Sequence, residues 1–176
     1  MLIRLVTARL LIEPLGSADL DAFVDYRRRP EVARYQSWDE SYSRENGLEL
    51  VARQPDSFPA AGQWMQLAMR DGKQLVGDLA LHTLADQPDS YEVGVTVGVP
   101  GCGYATEGML ALLAHLFEHR NAHRVIARSD ARNAPVSALL TRVGFRHEGR
   151  AVAADWFKGE WTTVDSWAKL SEEPES

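Results

Sequence analysis

The sequence is short of cysteine and of long apolar runs. Cys102 is the only cysteine in 176 residues, which excludes a disulfide framework and a thiolate metal cluster. In the opening "MLIRLVTARLLIEPL", charged residues interrupt the run of roughly seven apolar residues that an export signal requires. No stretch approaches the roughly 18 apolar residues of a membrane-spanning helix. We therefore expect a cytoplasmic protein that has no membrane partner.

Basic residues are also few relative to acidic ones. The chain has 19 Lys and Arg against 25 Asp and Glu, a net charge of -6. Because this charge repels a phosphate backbone, we expect no nucleic-acid partner, whereas a cationic amine is favoured. A chain of this length supports one hydrophobic core. We predict a single domain over residues 1–170 and a C-terminal tail over residues 171–176.

Hydrophobic periodicity predicts the elements of the first half of the chain. After a lead-in strand, a first helix is predicted with its cap at Ser17 and its end at Pro30. A second helix ends at Pro55. From Gln63 the apolar period changes to two, and the Asp-Gly dipeptide at 71–72 indicates a hairpin.

The second half of the chain contains a predicted β-α-β unit. The strand over 91–97 is followed by a helix over 104–119, and then by the short buried strand "RVIARSD". The next helix has Asn133 as its cap and Gly144 as its stop, and two strands follow it. The order β-α-α-β-β-β-α-β-α-β-β predicts a mixed sheet covered by helices.

The stretch "VPGCGYATEG" places two glycines between a strand and a helix. Gly101 and Gly103 allow positive φ angles and a close backbone approach, so unpaired N–H groups and the positive end of the helix dipole would meet at one point. This pattern favours a phosphate site, and a tight turn that needs glycine only for its path is the alternative. A P-loop is excluded because no lysine lies between Lys73 and Lys158. The dinucleotide fingerprint is excluded because Thr106 stands where it needs a third glycine.

Three motifs, "GCGYATEGM", "HRVIARSDARNAP" and "VGFRHEG", resemble the acyl-CoA-binding core of the GNAT superfamily of N-acyltransferases. The likeness is closest to the Rim-type (RimJ/RimL-like) branch, which includes the ribosomal-protein N-terminal acetyltransferases. It extends to "TARLLIEPL", "LVGDLAL" and "DWFKGEWTTVD", and so spans nearly the whole chain. The resemblance implies an α/β fold with a mixed, mostly antiparallel sheet of about seven strands flanked by about four helices.

The resemblance also implies where acetyl-CoA, the expected cosubstrate, binds. Its pyrophosphate would lie on the N–H groups of the loop and helix start: Gly101, Cys102, Gly103, Tyr104, Ala105 and Thr106. Pantetheine would lie beside the strand that holds Val93, Gly94 and Val95, whose backbone would also supply the oxyanion donor. Asn133 would lie near the coenzyme. No metal is implied.

Several positions depart from the family pattern. Pro100 donates no N–H, and Cys102 replaces a residue that is often basic, so weaker coenzyme binding is expected. The positions at which relatives carry a serine or tyrosine to protonate the leaving thiolate are Val136 and Leu140. Ser137 lies about 100° away around the helix and does not inherit this role. Water is therefore sufficient as the acid, because a free thiol has a pKa of about 8.5.

Glu92, on the strand that would flank pantetheine, is our candidate for the general base, and a salt-bridged strand carboxylate is the alternative interpretation. Glu107 is interpreted as a capping or dipole-stabilising carboxylate. A nucleophilic Cys102 is disfavoured because the family forms no covalent enzyme intermediate. The histidines at 115, 119 and 123 invite a zinc hypothesis, which is disfavoured because no HExxH pattern appears.

The acceptor site is the least defined part of the sequence. Tyr35, Trp38 and Trp64 lie in segments that the family uses to wall this site, and aromatic walls suit a cationic amine. The basic run "RRRPEVAR" is interpreted as a solvated helix end. By resemblance alone, a homodimer is expected.

We therefore expect an acetyl-CoA-dependent N-acetyltransferase that acts on a primary amine by direct attack in a ternary complex. The acceptor would be a protein N-terminus or a small amine such as an aminoglycoside. Pro100, Val136 and Leu140 favour a rival interpretation, a non-catalytic acyl-CoA-binding or interaction module.

Overall fold

One sheet of eight strands organises the computed structural model, which describes residues 2–172 of the chain. The strands run in the spatial order β1-β2-β3-β4-β5-β6-β8-β7. Their bounds are β1 (Leu5–Val6), β2 (Leu10–Pro14), β3 (Trp64–Asp71), β4 (Gln74–Thr83), β5 (Ser90–Val97), β6 (Arg124–Asp130), β7 (Arg146–Phe157) and β8 (Glu160–Leu170). The helices are α1 (Leu20–Arg27), α2 (Pro30–Ala33), α3 (Arg44–Ala52), α4 (Tyr104–His119) and α5 (Ala134–Arg142).

The sheet opens between β5 and β6. These are its one parallel pair within residues 2–172, and they are hydrogen-bonded only from Ser90 to Glu92, opposite residues 124–126. β5 continues to Val97 with β4 as its partner, while β6 continues to Asp130 with β8. The two strands therefore diverge beyond Glu92 and leave one edge of β5 without a strand partner. This divergence is the feature of the fold that creates a cleft.

The two faces of the sheet carry separate hydrophobic clusters. On one face, α4 and α5 bury the larger cluster, in which Met109, Leu112 and Leu139 pack against strand residues such as Leu79 and Val93. On the other face, α1 and the segment before α3 bury Phe23, Tyr26 and Tyr42 against strand residues such as Ala68. α4 carries its apolar residues three and four positions apart, so a single face of this helix closes the larger core.

The fold class predicted from the sequence is confirmed, and within residues 2–172 each approximate element count is exceeded by one. The structure has eight strands instead of about seven, because the N-terminal stretch contains a hairpin turn at Thr7, whose N–H donates to the Leu10 carbonyl at 2.9 Å. It has five α-helices instead of about four, because Pro30 begins α2 at the position where a missing N–H costs nothing. The predicted cap at Ser17 was also wrong, since α1 begins at Leu20 after a turn of 3₁₀ helix.

Other local predictions were confirmed. α4 spans Tyr104–His119, and Asn133 caps α5 by accepting the Val136 N–H at 3.3 Å. Gly144, which follows α5, has a φ of +92°. The division into a single domain and a C-terminal tail stays a prediction: β8 ends at Leu170, and residues 173–176 lie outside the described residues.

The outer edge of the sheet is held by a buried carboxylate. Asp165 on β8 is 2% exposed and accepts two hydrogen bonds from the Arg150 guanidinium, at 2.7 and 2.8 Å. The His147 Nε2 atom lies 3.1 Å from the same carboxylate. The hydrogen bonds from Arg150, followed by the contact with His147, lower the pKa of Asp165 to about 2.

The contribution of the Asp165 carboxylate to the free energy of unfolding depends on pH. Because the pKa of Asp165 is lower in the folded state than in the unfolded chain, its stabilisation is present above about pH 4 and is lost as the pH falls towards 2. We expect Asp165→Asn to lower the free energy of unfolding by about 1–2 kcal/mol at pH 7, after allowance for the half-exposed Arg150, and by about half as much at pH 3. Urea unfolding at both pH values measures this difference.

Asp56→Asn is the control for this experiment, because Asp56 is exposed and lies outside the ion pairs described for the chain. It should leave the free energy of unfolding unchanged at both pH values. An equal loss at pH 7 and pH 3 for Asp165→Asn would show that the carboxylate charge contributes nothing.

Candidate active site

The glycine loop adopts the backbone conformation that its sequence predicts. Gly101 and Gly103 have φ angles of +79° and +76°, and α4 begins directly after Gly103. Within residues 2–172, the N–H groups of residues 101–106 have no hydrogen-bond acceptor, and the first intrahelical bond is donated by the Glu107 N–H to the Gly103 carbonyl. A Cβ atom built on Gly101 would have no neighbour within 4 Å. The loop thus directs a row of unpaired donors and a helix N-terminus into open space.

A network from the N-terminal hairpin holds this loop in place. Glu107 accepts hydrogen bonds from the Thr7 hydroxyl at 2.6 Å and from the Arg9 Nε at 2.7 Å. Arg9 also donates from Nη1 to the Cys102 carbonyl at 2.8 Å. The donors on Thr7 and Arg9 lower the pKa of Glu107. Glu107 therefore ties the loop to the β1–β2 turn and is not only a capping carboxylate.

A cavity of about 630 Å³ extends from this loop along the end of β5, beyond the point where β5 and β6 diverge, and we name it the loop cavity. Of the residues that the resemblance assigns to the coenzyme, those lining the cavity are Val95, Gly101, Gly103, Tyr104, Ala105, Thr106 and Asn133. Val93 is buried in the larger core, while Gly94 and Cys102 are not part of the lining. The Cys102 side chain is exposed.

Two arginines line the same cavity. Arg29 donates from Nη1 to the Gly98 carbonyl at 2.8 Å, and Arg142 donates to the Thr106 hydroxyl at 3.2 Å. Arg29 belongs to the basic run that we interpreted as a solvated helix end; its side chain is 42% exposed, pairs with Asp25 at 2.9 Å and also lines the cavity. Arg142 was missed, although a basic residue in the last turn of the helix after Asn133 was visible in the sequence. Together they add positive charge beside the unpaired N–H groups.

As the sequence predicted, α5 places no proton donor for the leaving thiolate in the loop cavity. Val136 lines the loop cavity, and Leu140 is buried. Ser137 donates from its hydroxyl to the Asn133 carbonyl at 3.2 Å and is not part of the cavity lining. No hydroxyl of α5 therefore faces the loop cavity.

A second cavity of about 480 Å³ lies over the β7–β8 hairpin and the end of β6, and we name it the hairpin cavity. Tyr35 lines both cavities and is the residue at which they meet. The polar and charged lining residues are Arg128, Ser129, Asp130, Asp155, Thr162 and Ser166. Asp130 accepts hydrogen bonds from Arg132 at 2.7 and 2.9 Å, which lower the pKa of Asp130. Because they share Tyr35, the two cavities adjoin, and we refer to them together as the cleft.

Other candidate residues lie outside both linings. Glu92 occupies the last paired position before β5 and β6 diverge, with its carboxylate 3.6 Å from the His82 Nδ1 atom. Trp64 stacks on His82 with ring centroids 4.4 Å apart. Trp38 packs on the buried Arg27 guanidinium at 3.7 Å and donates from its indole N–H to the Arg27 carbonyl. Of the three predicted acceptor-site aromatics, only Tyr35 lines the cleft.

Metal-binding clusters and membrane-spanning helices were also considered for residues 2–172. No group of three or more His, Cys, Asp or Glu side chains is arranged to hold a metal ion. His115 instead packs beside Phe58 and His119. None of the helices in this range is long and apolar enough to span a membrane.

Comparison with known proteins identifies relatives over most of the chain. Residues 9–146 match the family model described as the acetyltransferase (GNAT) domain. Over 175 residues the chain is 26% identical to YnaD, an uncharacterized N-acetyltransferase of Bacillus subtilis (strain 168), and the match covers 96% of this chain and 98% of YnaD.

Solved structures share the same fold. A GNAT-family acetyltransferase from Bacillus anthracis superposes with a TM-score of 0.84 at 24% identity, covering 97% of this chain and 100% of that one. A spermidine N-acetyltransferase from Vibrio cholerae, in complex with CoA and spermine, superposes with a TM-score of 0.80 at 18% identity, covering 94% of this chain and 97% of that chain. RimL, a ribosomal alpha-N-protein acetyltransferase in complex with coenzyme A, superposes with a TM-score of 0.79 at 16% identity, covering 96% of this chain and 98% of RimL.

Proposed function

This chain belongs to the GNAT acetyltransferase family and is an acetyl-CoA-dependent acetyltransferase; we propose that it acetylates a primary amine by direct attack in a ternary complex. The observation that carries the proposal is the cleft of two adjoining cavities. One cavity has the row of unpaired N–H groups beside the end of β5 that lacks a strand partner, and the other has a polar lining. Such a cleft holds two reactants in one place, which is the main requirement of a direct transfer.

The residues of the loop cavity fit a coenzyme pyrophosphate. The N–H groups of residues 101–106 would donate to it, and Arg29 and Arg142 would add positive charge. Pro100 removes one donor, but the row that follows it is intact. The unpaired edge of β5 beyond Glu92 would hold the pantetheine arm by strand-like hydrogen bonds. Both CoA-bound neighbours share this fold.

The chemistry requires a neutral amine and stabilisation of an oxyanion. When bound, acetyl-CoA supplies a thioester carbonyl as the electrophile. Glu92, at the point where the strands diverge, would accept the amine proton directly or through water, and a backbone N–H on the open edge of β5 would stabilise the oxyanion. Val136 and Leu140 offer no proton to the leaving thiolate, so water would protonate it.

Two measurements test the proposal. Calorimetric titration should show binding of acetyl-CoA and no binding of ATP or NAD. A thiol-release assay with peptide N-termini and small amines should then show turnover. Binding without turnover on any amine would favour the non-catalytic acyl-CoA-binding module, and absence of binding would show that the glycines serve only the turn.

Glu92→Gln tests the assigned base. We expect unchanged affinity for acetyl-CoA and a kcat lowered by about 100-fold or more, because general-base catalysis contributes at least this factor. Glu118→Gln, at an exposed position on α4, is the matched control and should keep wild-type turnover. Full activity in Glu92→Gln would remove Glu92 from the mechanism and leave a structural partner of His82.

The finer assignments belong to the same proposal. We propose a Rim-type affiliation, a cytoplasmic location and a homodimer. The sequence motifs support the first, and the RimL neighbour shares the fold alone. Sedimentation of the purified protein tests the last, since a monomer at all concentrations would contradict it.

A further inference from the structure

Arg128 differs from every other arginine in the described part of the chain. Within residues 2–172, its guanidinium alone has no hydrogen-bond, ion-pair or aromatic partner. It projects from β6 into the lining of the hairpin cavity. An arginine has five donors in a rigid fork that matches a carboxylate. The arginine without a partner in the protein therefore lies where a substrate would supply one.

The acidic residue nearest in sequence does not satisfy Arg128. Asp130, two positions further along β6, is held by Arg132, which also reaches Glu160 at 2.8 Å. The carboxylate of Asp155, across the same cavity, has no partner within residues 2–172. The hairpin cavity thus presents one unpaired positive charge and one unpaired negative charge, which is the complement of a zwitterion.

We infer that the acceptor is a small amine that also carries a carboxylate, with its carboxylate bound by Arg128 in the hairpin cavity. Asp155 would attract its ammonium end, which must then lose a proton to reach the thioester as the neutral amine that the proposed reaction requires. This inference rests on the proposed function, since it names the substrate class of the same cleft. The volume of about 480 Å³ suits a small molecule. A polyamine or an aminoglycoside carries several positive charges, which Arg128 would repel.

The test compares amines that differ only in the carboxylate. A panel of α-, β- and γ-amino acids is assayed beside their carboxamides, with spermidine, an aminoglycoside and a neutral-tailed peptide as further acceptors. Turnover is measured by thiol release at saturating acetyl-CoA, and affinity by calorimetry with CoA present. The proteins are the wild type, Arg128→Gln, Arg128→Lys and Arg53→Gln, a control at an exposed arginine after α3 that lines neither cavity.

We expect the wild type and Arg53→Gln to prefer at least one amino acid over its carboxamide by about 10- to 100-fold in kcat/KM, the range that charge-assisted hydrogen bonds provide. Arg128→Gln should lose this preference, while its affinity for acetyl-CoA and its kcat/KM for the carboxamide stay unchanged. Arg128→Lys should retain part of the preference, because lysine supplies the charge without the fork.

Three outcomes would overturn the inference. They are equal use of amino acids and carboxamides by the wild type, preference for spermidine, the aminoglycoside or the peptide, and loss of acetyl-CoA affinity in Arg128→Gln. If no amine releases thiol, the proposed function fails, and calorimetry decides the inference separately. Amino-acid binding that depends on both the carboxylate and Arg128 would support it, and its absence would overturn it.

Discussion

Replacing Gly101 and Gly103 together by alanine is expected to weaken acetyl-CoA binding by about 100-fold, with a range of about 30-fold to 1,000-fold. The φ angles of Gly101 and Gly103 are +79° and +76°. Holding an L-residue in the left-handed region costs roughly 1–2 kcal/mol per position. In the free protein the strained loop would relax into another conformation, so coenzyme binding would have to restore the original one at this cost. Since each 1.4 kcal/mol corresponds to about tenfold in affinity, two such positions give this range.

Gly62→Ala is the matched control, because Gly62 has a φ of +80° and lies outside both cavities. A Cβ at this position would make only an ordinary contact of 3.7 Å with Ala85. The control should therefore lose a similar amount of stability and keep full affinity for acetyl-CoA in calorimetric titration. Unchanged affinity in the double alanine variant would show that the loop does not bind the coenzyme.

The second large effect is expected in the core beneath α1. Asp78 on β4 is 0% exposed and lies 3.1 Å from the Nη2 atom of Arg27, which is itself 4% exposed. Tyr26 and Gln66 also donate hydrogen bonds to this carboxylate. Burial raises the pKa of Asp78, and the charge of Arg27 opposes that rise. The ionised carboxylate is therefore tolerated because Arg27 is beside it.

Arg27→Met is expected to lower the free energy of unfolding by about 3–5 kcal/mol, because it leaves a buried charge without its partner. The double variant Arg27→Met/Asp78→Asn should recover more than half of this loss, since it removes both charges and keeps an oxygen to accept a hydrogen bond. Urea unfolding of the two single variants and the double variant measures the coupling. Additive losses would show that the pair contributes no mutual stabilisation.

The same cluster explains why Trp38 is not part of the cleft. Its ring covers the Arg27 guanidinium, and its indole N–H is used by the Arg27 carbonyl. An aromatic residue in a segment expected to wall the acceptor site is thus used to bury an ion pair. Composition and position alone do not separate these two uses of tryptophan.

Features governed by neighbouring residues were predicted correctly from the sequence. α4 and α5 follow from apolar residues at steps of three and four, and the Asn133 cap follows from the local chemistry of a helix start. The positive φ angles of Gly101 and Gly103 follow from the turn between a strand and a helix. In each case the relevant interactions join residues within about one or two helical turns.

Features that join distant residues were decided by the tertiary structure. Glu107 meets Arg9 across 98 positions of sequence, and no local pattern records that pairing. Tyr35 lines both cavities because it follows α2, whose Glu31 and Val32 also line the loop cavity. Arg128 is distinctive because every other arginine in residues 2–172 has a partner, and this is known only when all of the contacts are known.

The sequence by itself determined the order of the elements, the glycine loop and the family resemblance, because these depend on local periodicity and on motifs that are read along the chain. Only the tertiary structure decided which charges are neutralised, which aromatics are buried and which residues face the cleft. Electrostatic pairing and burial depend on distances in space, and residues far apart in sequence set those distances when the sheet assembles.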